Sequence, residues 1–144
     1  LPGFIKKRRE NYAKLFNFFV KYSKYFQIIK KNKKMNPCWF GFPVIVKKSA
    51  PFSRNDITTY LEEKKIGSRN IFSGNLLKHP AYKRVDYRIV GSLKNADTVA
   101  DYAFWLGVFP GIDKPRMDYV IKTLRLFCRK HEKKLVISKS RENK

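Results

Sequence analysis

Arg69, Ser73, Gly74 and Asn75 lie together on the segment IGSRNIFSGNLLKHP, residues 66–80. Arginine presents a rigid planar fork that meets phosphate or carboxylate through two hydrogen bonds, and such charge-assisted bonds contribute about 1.5–3 kcal/mol each. Serine and asparagine add short neutral donors and acceptors, and glycine lets the backbone approach a ligand closely. This set can bind, but it holds no general base and no activated nucleophile. The same residues also suit a surface loop with a hydrogen-bonded turn at SGN and an arginine paired to Asp or Glu. Residue types alone leave both readings open.

Groups for catalysis are sparse elsewhere. The two histidines are His79, which precedes a proline in an expected loop, and His131, in a charged tail. Neither is placed beside an obvious nucleophile. The 11 acidic residues fall mostly at helix caps (Asp56, Asp113) or on helix surfaces (Glu62, Glu63), so no carboxylate pair for acid–base work is indicated. The glycines are spread singly, which excludes a Gly-rich phosphate loop, and no lysine carries a signature that marks a Schiff-base residue. Cys38 and Cys128 lie far apart, form no metal-ligand spacing, and are expected to be buried small hydrophobes in a reducing compartment. No metal site is predicted.

The formal net charge is +22, from 33 basic and 11 acidic residues. Taken alone, that points to an anionic partner such as nucleic acid or a membrane surface. The distribution argues otherwise. Residues 1–50 carry 13 basic and 1 acidic side chains, residues 51–128 carry 13 and 8, and residues 129–144 carry 7 and 2. The clusters KKRR, KKNKK and RKHEKK sit at ends or in an expected loop, and most aromatics follow core periodicities rather than interleaving with basic residues as in a single-strand binder. A solvated charge excess is favoured over a basic nucleic-acid-binding module, which stays as an alternative. No apolar run approaches the roughly 20 residues that span a bilayer, and no signal peptide opens the chain. A soluble cytoplasmic protein without a membrane partner is expected.

The elements that must position the 66–80 segment are legible from periodicity. Tyr12, Leu15, Phe16, Phe19 and Val20 recur at helical spacing within residues 4–22. YFQII (25–29) reads as a short strand, followed by a lysine-rich loop over residues 30–36. CWFGFPVIV (38–46) reads as a strand, with Gly41 and Pro43 pointing to a bulge or an edge. In SRNDITTYLEEKKIG, Ser53 is an N-cap with Asp56 three residues on, Ile57, Tyr60 and Leu61 share one face, and Gly67 marks the stop. A short strand is expected over residues 87–90, a short helix over 95–103 and a strand over 104–111. A helix capped by Asp113 then repeats Met117, Val120, Ile121, Leu124, Phe127 and Cys128, and KLVIS (134–138) suggests a last strand. At 144 residues and 43% hydrophobic, one domain with a sizeable core is expected. The pattern implies a two-layer α/β domain of α+β type, a small and mostly antiparallel sheet with packed helices.

Several of these stretches resemble a known family in order along the chain. NPCWFGFPVIV, FSRNDITTYLEEKKIGSRNIFSGNLLKHPAY, FWLGVFPG and the following MDYVI are similar to the C-terminal region of the DegT/DnrJ/EryC/StrS group of PLP-dependent sugar aminotransferase-like enzymes. More narrowly, they resemble the CDP-4-keto-6-deoxyglucose 3-dehydratase branch of lipopolysaccharide sugar biosynthesis. The opening LPGFIKKRRENYAKLF resembles the helix leading into that region, and the lysine-rich residues 129–144 match nothing in it.

This resemblance implies that residues 1–128 form the small C-terminal domain of a fold type I PLP enzyme, with 1–22 as leading helix and 129–144 as a basic tail. In that family PLP, and in the dehydratase branch an iron–sulfur cluster, belong to a large domain, which carries a Schiff-base lysine or, in dehydratases, a histidine in its place. Neither cofactor is expected to be bound by this chain alone, which opens without an initiator methionine and reads as the trailing part of something longer. The implied partners are that large domain, a sugar-nucleotide substrate and, through the apolar surface left by a missing domain, a second copy of the chain. The small domain closes over the sugar nucleotide, and SGN is typical of the dehydratases where related aminotransferases often carry a histidine at Gly74-Asn75. Arg69, Ser73 and Asn75 are thereby expected to contact substrate, with Arg69 on an oxygen of the sugar or diphosphate. Phe104 and Trp105 either border the pocket or pack in the core, the latter favoured, and Trp39 and Phe40 are assigned to core or interdomain packing. The same domain of a sugar-nucleotide aminotransferase is the alternative enzyme reading.

Overall fold

A computed structural model of the chain describes residues 1–29, 32 and 34–142, with side chains described as far as residue 132. The elements are α1 (Pro2–Lys21), β1 (Phe26–Ile28), β2 (Gly41–Val46), α2 (Arg54–Glu63), β3 (Ser68–Asn70), α3 (Lys94–Tyr102), β4 (Ala103–Gly107) and α4 (Lys114–Glu142), with 3-10 turns at Leu76–Lys78 and Pro80–Tyr82. The four strands form one antiparallel sheet in the order β1-β2-β4-β3. This is the mixed helix and small antiparallel sheet expected from the alternating elements.

Alternation along the central strands decides what each face of the sheet does. In β2, Phe42, Val44 and Val46 are buried, whereas Gly41, Pro43 and Ile45 are half-buried on the other side. In β4, Phe104 and Leu106 are buried and Trp105 and Gly107 are not. The inner face packs against α1, α2 and α4 through Leu15, Phe19, Ile57, Leu61, Met117 and Leu124, all fully buried. Aromatic contacts join the layers: the Phe19 ring meets Phe26 edge-on at 4.9 Å and stacks on Phe42 at 5.2 Å. Asn11, fully buried in α1, donates from Nδ2 to the carbonyls of Phe109 and Ile112 at 3.1 and 3.2 Å, tying α1 to the turn that leads into α4.

The caps account for where α2 begins and ends. Ser53 and Asp56 form a reciprocal capping box, with Asp56 Oδ2 accepting from the Ser53 amide at 2.7 Å. The C-terminal stop falls at Lys65, φ 59°, and not at Gly67. The Lys65 amide donates to the Glu62 carbonyl and the Ile66 amide to the Leu61 carbonyl, a Schellman closure in which buried Ile66 follows buried Leu61 onto the core.

The edge position expected at Pro43 is met locally: β2 is a central strand, but β1 ends opposite Val44, so at Pro43 the strand has a neighbour on the β4 side only and its missing N–H breaks no β1 pairing. Three further expectations are corrected. Residues 87–90 are exposed and irregular and join neither edge of the sheet. Residues 134–138 continue α4; no glycine or proline follows Pro115 to end the helix, and a short apolar run does not distinguish strand from helix. Cys38 is exposed in the approach to β2, while Cys128 is buried as expected. Part of the expected lysine-rich loop, at 30, 31 and 33, lies outside the described residues.

Candidate functional site

The segment after α2 runs directly into the sheet. Ser68 is buried opposite Leu106, so its neighbour Arg69 turns to the outer face, opposite Trp105. Pro43 is in register with Trp105 from the other side, which sets Pro43, Trp105 and Arg69 in one row across three strands. Directly opposite side chains in such a ladder are about 4.5–5.5 Å apart at Cβ and interact. Arg69 donates from Nη1 to its neighbour's carbonyl, Ser68 O, at 3.0 Å, and among the described residues it pairs with no carboxylate. Its charge faces solvent beside an indole ring.

An apolar cleft of about 190 Å³ opens beside this row, lined by Trp39, Phe40, Gly41, Pro43, Ile71, Phe72 and Trp105. The Phe40 ring lies 5.0 Å from Trp105 and is 70% exposed. Gly41 is required there, because a Cβ at that position would fall inside the Trp105 ring. Phe72 is 90% exposed and has φ 41°, an uncommon conformation for a bulky residue. Trp39 instead stacks on Tyr12 of α1, ring centroids 5.0 Å apart and 11° from parallel.

Beyond the cleft, the chain is clamped to α3. Gly74, φ 63°, passes so close to α3 that a Cβ would fall on the backbone of Ala100. Asn75, 6% exposed, donates from Nδ2 to Asp97 Oδ1 at 2.8 Å and accepts at Oδ1 from the Leu77 amide at 3.0 Å, which caps the first 3-10 turn. Lys78 reaches Asp97 at 3.1 Å and Asp101 at 2.9 Å. The hydrogen bond from Asn75, then that from Lys78, holds the Asp97 carboxyl below its usual range. Arg54 of α2 in turn donates to the Ala100 carbonyl.

The three residues expected to contact substrate therefore differ in structural role. Arg69 is presented outward. Ser73 lies half-buried on the turn between, its hydroxyl making no hydrogen bond among the described residues. Asn75 has both ends of its side chain engaged in holding the loop to α3, whereas Arg69 is placed by the β3–β4 pairing. Phe104 is core, and Trp105 belongs to the cleft rather than the core; alternation along β4, with Leu106 inward, was the signal that separates them. Asp97 and Lys78 were not anticipated, because their partners lie some 20 residues away across a loop and no local motif joins them. His79 is exposed, with Nδ1 accepting from the Ala81 amide, and His131 packs against Phe52 and Phe127.

A profile of the DegT/DnrJ/EryC1/StrS aminotransferase family matches residues 1–125. The chain belongs to that family. Among curated members, the lipopolysaccharide biosynthesis protein RfbH of Salmonella typhimurium is 33% identical over 124 residues, covering 86% of this chain and 28% of RfbH. The dTDP-4-dehydro-2,6-dideoxy-D-glucose 3-dehydratase of Saccharopolyspora spinosa is 42% identical over 95 residues, 66% of this chain and 21% of that enzyme. The GDP-4-keto-6-deoxy-D-mannose 3-dehydratase of Escherichia coli, solved with bound hydrated PLP, superimposes with a TM-score of 0.73 at 27% identity, over 85% of this chain and 31% of that one. A mutant of GDP-4-keto-6-deoxymannose 3-dehydratase solved with GDP-perosamine gives 0.73 at 28%, over 86% and 32%. This chain thus spans less than a third of the length of each of these four relatives.

A PLP site needs a basic side chain beside the aldehyde carbon, a charged partner at the ring nitrogen and several donors for the phosphate. The cleft lining offers none of these; beside it stands one arginine, and the nearby lysine and acids, Lys78, Asp97 and Asp101, are spent on one another. The residues around this cleft do not form a PLP site by themselves. Among them no group of three metal-ligating side chains is found, and no described helix is long and apolar enough to cross a membrane.

Proposed function

We propose that this chain is the C-terminal, substrate-closing domain of a PLP-dependent CDP-4-keto-6-deoxyhexose 3-dehydratase of lipopolysaccharide and deoxysugar biosynthesis. PLP, and the iron–sulfur cluster of that branch, would be held by a large domain outside these residues, and the chain would not turn over alone. One observation carries the reading. Arg69, without a carboxylate partner among the described residues, is displayed on a clamped platform beside an apolar cleft. A sugar nucleotide offers the matching chemistry, a diphosphate for a guanidinium and a deoxygenated sugar for apolar walls. The conformation of the platform is fixed before ligand arrives, since Gly74 against Ala100 and Asn75 on Asp97 leave the loop little freedom. Ordering cost on binding is correspondingly small.

The test is a product assay on the enzyme that carries this domain, supplied with CDP-4-keto-6-deoxyglucose and an amino donor. Loss of the 3-hydroxyl without nitrogen in the product supports the dehydratase reading. An aminosugar product would assign the domain to an aminotransferase instead, and turnover only of GDP- or dTDP-linked sugars would remove the CDP assignment.

A further inference from the structure

A second constellation occupies the seam between α1 and α4, away from Arg69 and Trp105, and it does not depend on the sugar-nucleotide reading. Residues 14, 17, 18, 21 and 22 fall on one stripe of α1 and face a stripe of α4 formed by Asp118, Ile121, Arg125 and Arg129. Between them lies a groove of about 630 Å³, inside the roughly 300–1,000 Å³ typical of small-molecule sites. Its floor is apolar: Phe18 is 5% exposed, the Tyr22 ring tilts against it at 4.8 Å, and Ile121 is partly buried.

Four cations, Lys14, Lys21, Arg125 and Arg129, line this groove, and none forms an ion pair or side-chain hydrogen bond among the described residues. Of the nearby acids, Asp118, at the groove's lining, bonds Lys114 at 2.7 Å and feels Lys14 more weakly, and Glu132 bonds Lys24 at 2.7 Å, so cations outnumber carboxylates in the groove. Some other cations are held by partners: Arg8 and Arg9 by the carbonyls of Asn36, Pro37, Trp39 and Phe40, and Lys78 by two aspartates; what sets these four apart is that they line one groove. Four like charges converging on one groove repel one another, and a multivalent anion removes that repulsion while gaining guanidinium hydrogen bonds. Lys14 and Lys21 are two helical turns apart on α1, about 10 Å along the axis, and their long side chains can approach one anion from two sides.

We propose that the α1–α4 groove binds a small soluble ligand carrying two or more phosphate groups. Its phosphates would meet Arg125, Arg129, Lys14 and Lys21, and its uncharged part would rest on Tyr22. A nucleic acid suits the site less well, because Phe18 is buried beneath Tyr22 and offers no face on which successive bases stack.

The test is titration of the 144-residue chain with inorganic pyrophosphate at about 150 mM salt, where exposed charges are largely screened, followed by backbone amide shifts. Saturable binding with one ligand per chain, shifts confined to residues 14–22 and 118–129, and an affinity weakened at least about tenfold in Arg125→Ser/Arg129→Ser are expected. All substituted positions are exposed, so folding is retained. A Lys122→Ser/Lys130→Ser variant, with the same charge loss outside the groove lining, should bind pyrophosphate as the parent does. Equal weakening in both variants would reduce the effect to overall charge and overturn the proposal. So would absence of saturation at millimolar pyrophosphate, or Arg125/Arg129-dependent binding of a duplex oligonucleotide or phosphatidylserine vesicles that pyrophosphate does not displace.

Discussion

Arg69 and Trp105 stand directly opposite each other across the β3–β4 ladder, on the face of the sheet turned away from the core. The pairing joins the one predicted substrate-contacting residue that points outward to an indole that forms a wall of the apolar cleft. Trp105 is held from below by Gly41, whose missing side chain makes room for the ring. Gly41→Ala should therefore displace Trp105 and distort the cleft while leaving the helical layer intact. The expected result is altered tryptophan fluorescence with unchanged helical circular dichroism, together with a raised KM in the complete enzyme. Unaltered fluorescence would show that the ring is not seated on Gly41.

The loop clamp predicts two further effects. Gly74→Ala forces a side chain into left-handed backbone, costing about 1–2 kcal/mol, and adds a clash with Ala100. Asp97→Ala removes the acceptor of Asn75 and one partner of Lys78. Both should speed amide exchange in residues 71–79 more than in α1 or β2. Uniform acceleration across the chain would mean that the clamp supports global stability rather than the pose of the loop.

The capping box gives a pH-dependent prediction. Asp56 is held below its usual range, first by the hydrogen bond from the Ser53 amide and then by the Ser53 hydroxyl. A carboxyl with a lowered folded-state pKa contributes stability above its unfolded pKa, and that contribution fades as pH falls through the folded value. Ser53→Ala should cost about 1 kcal/mol near neutrality and less in acid, where protonated Asp56 no longer completes the box. Thermal melts at neutral and acidic pH measure both values. A cost that does not change with pH would sever the coupling between the two residues.

The two thiols should separate by reactivity. Burial pushes the Cys128 thiol up to about 12, whereas Cys38 is exposed. Since the thiolate is the attacking species, native alkylation with iodoacetamide at mildly alkaline pH should label Cys38 alone, with Cys128 reacting only in denaturant. Mass spectrometry showing rapid double labelling of the folded chain would contradict the burial of Cys128.

Much of the layer structure was legible because it is local. The first helix with Tyr12, Leu15 and Phe19 on its buried face, the box at Ser53 and Asp56, and the cap at Asp113 each depend on residues a few positions apart, and each appears in the fold, although Val20 is exposed and Phe18 takes the inward place. The misses came from long-range context. Pro43 is a local edge residue of a central strand only because β1 stops at Val44, which the sequence does not show, and Lys65 takes the left-handed turn because Ile66 must reach the core beside Leu61. At the candidate site, residue types left a binding segment and a plain loop both open and the family resemblance singled out Arg69, Ser73 and Asn75, but only register shows Arg69 turned outward, and only the packing of α3 shows that Asn75 has both ends of its side chain occupied. Phe72 and Phe40 drew no attention as site residues, since an aromatic near a strand most often packs inward.

The most direct measurement is the KM for the sugar nucleotide of Arg69→Ala in the complete enzyme, taken together with PLP absorbance. Loss of charge-assisted bonds worth about 1.5–3 kcal/mol corresponds to a KM raised roughly 10- to 150-fold, with PLP retained because these residues do not hold it. An unchanged KM, or loss of PLP from the variant, would contradict the assignment of this domain as the part that closes on the substrate through Arg69.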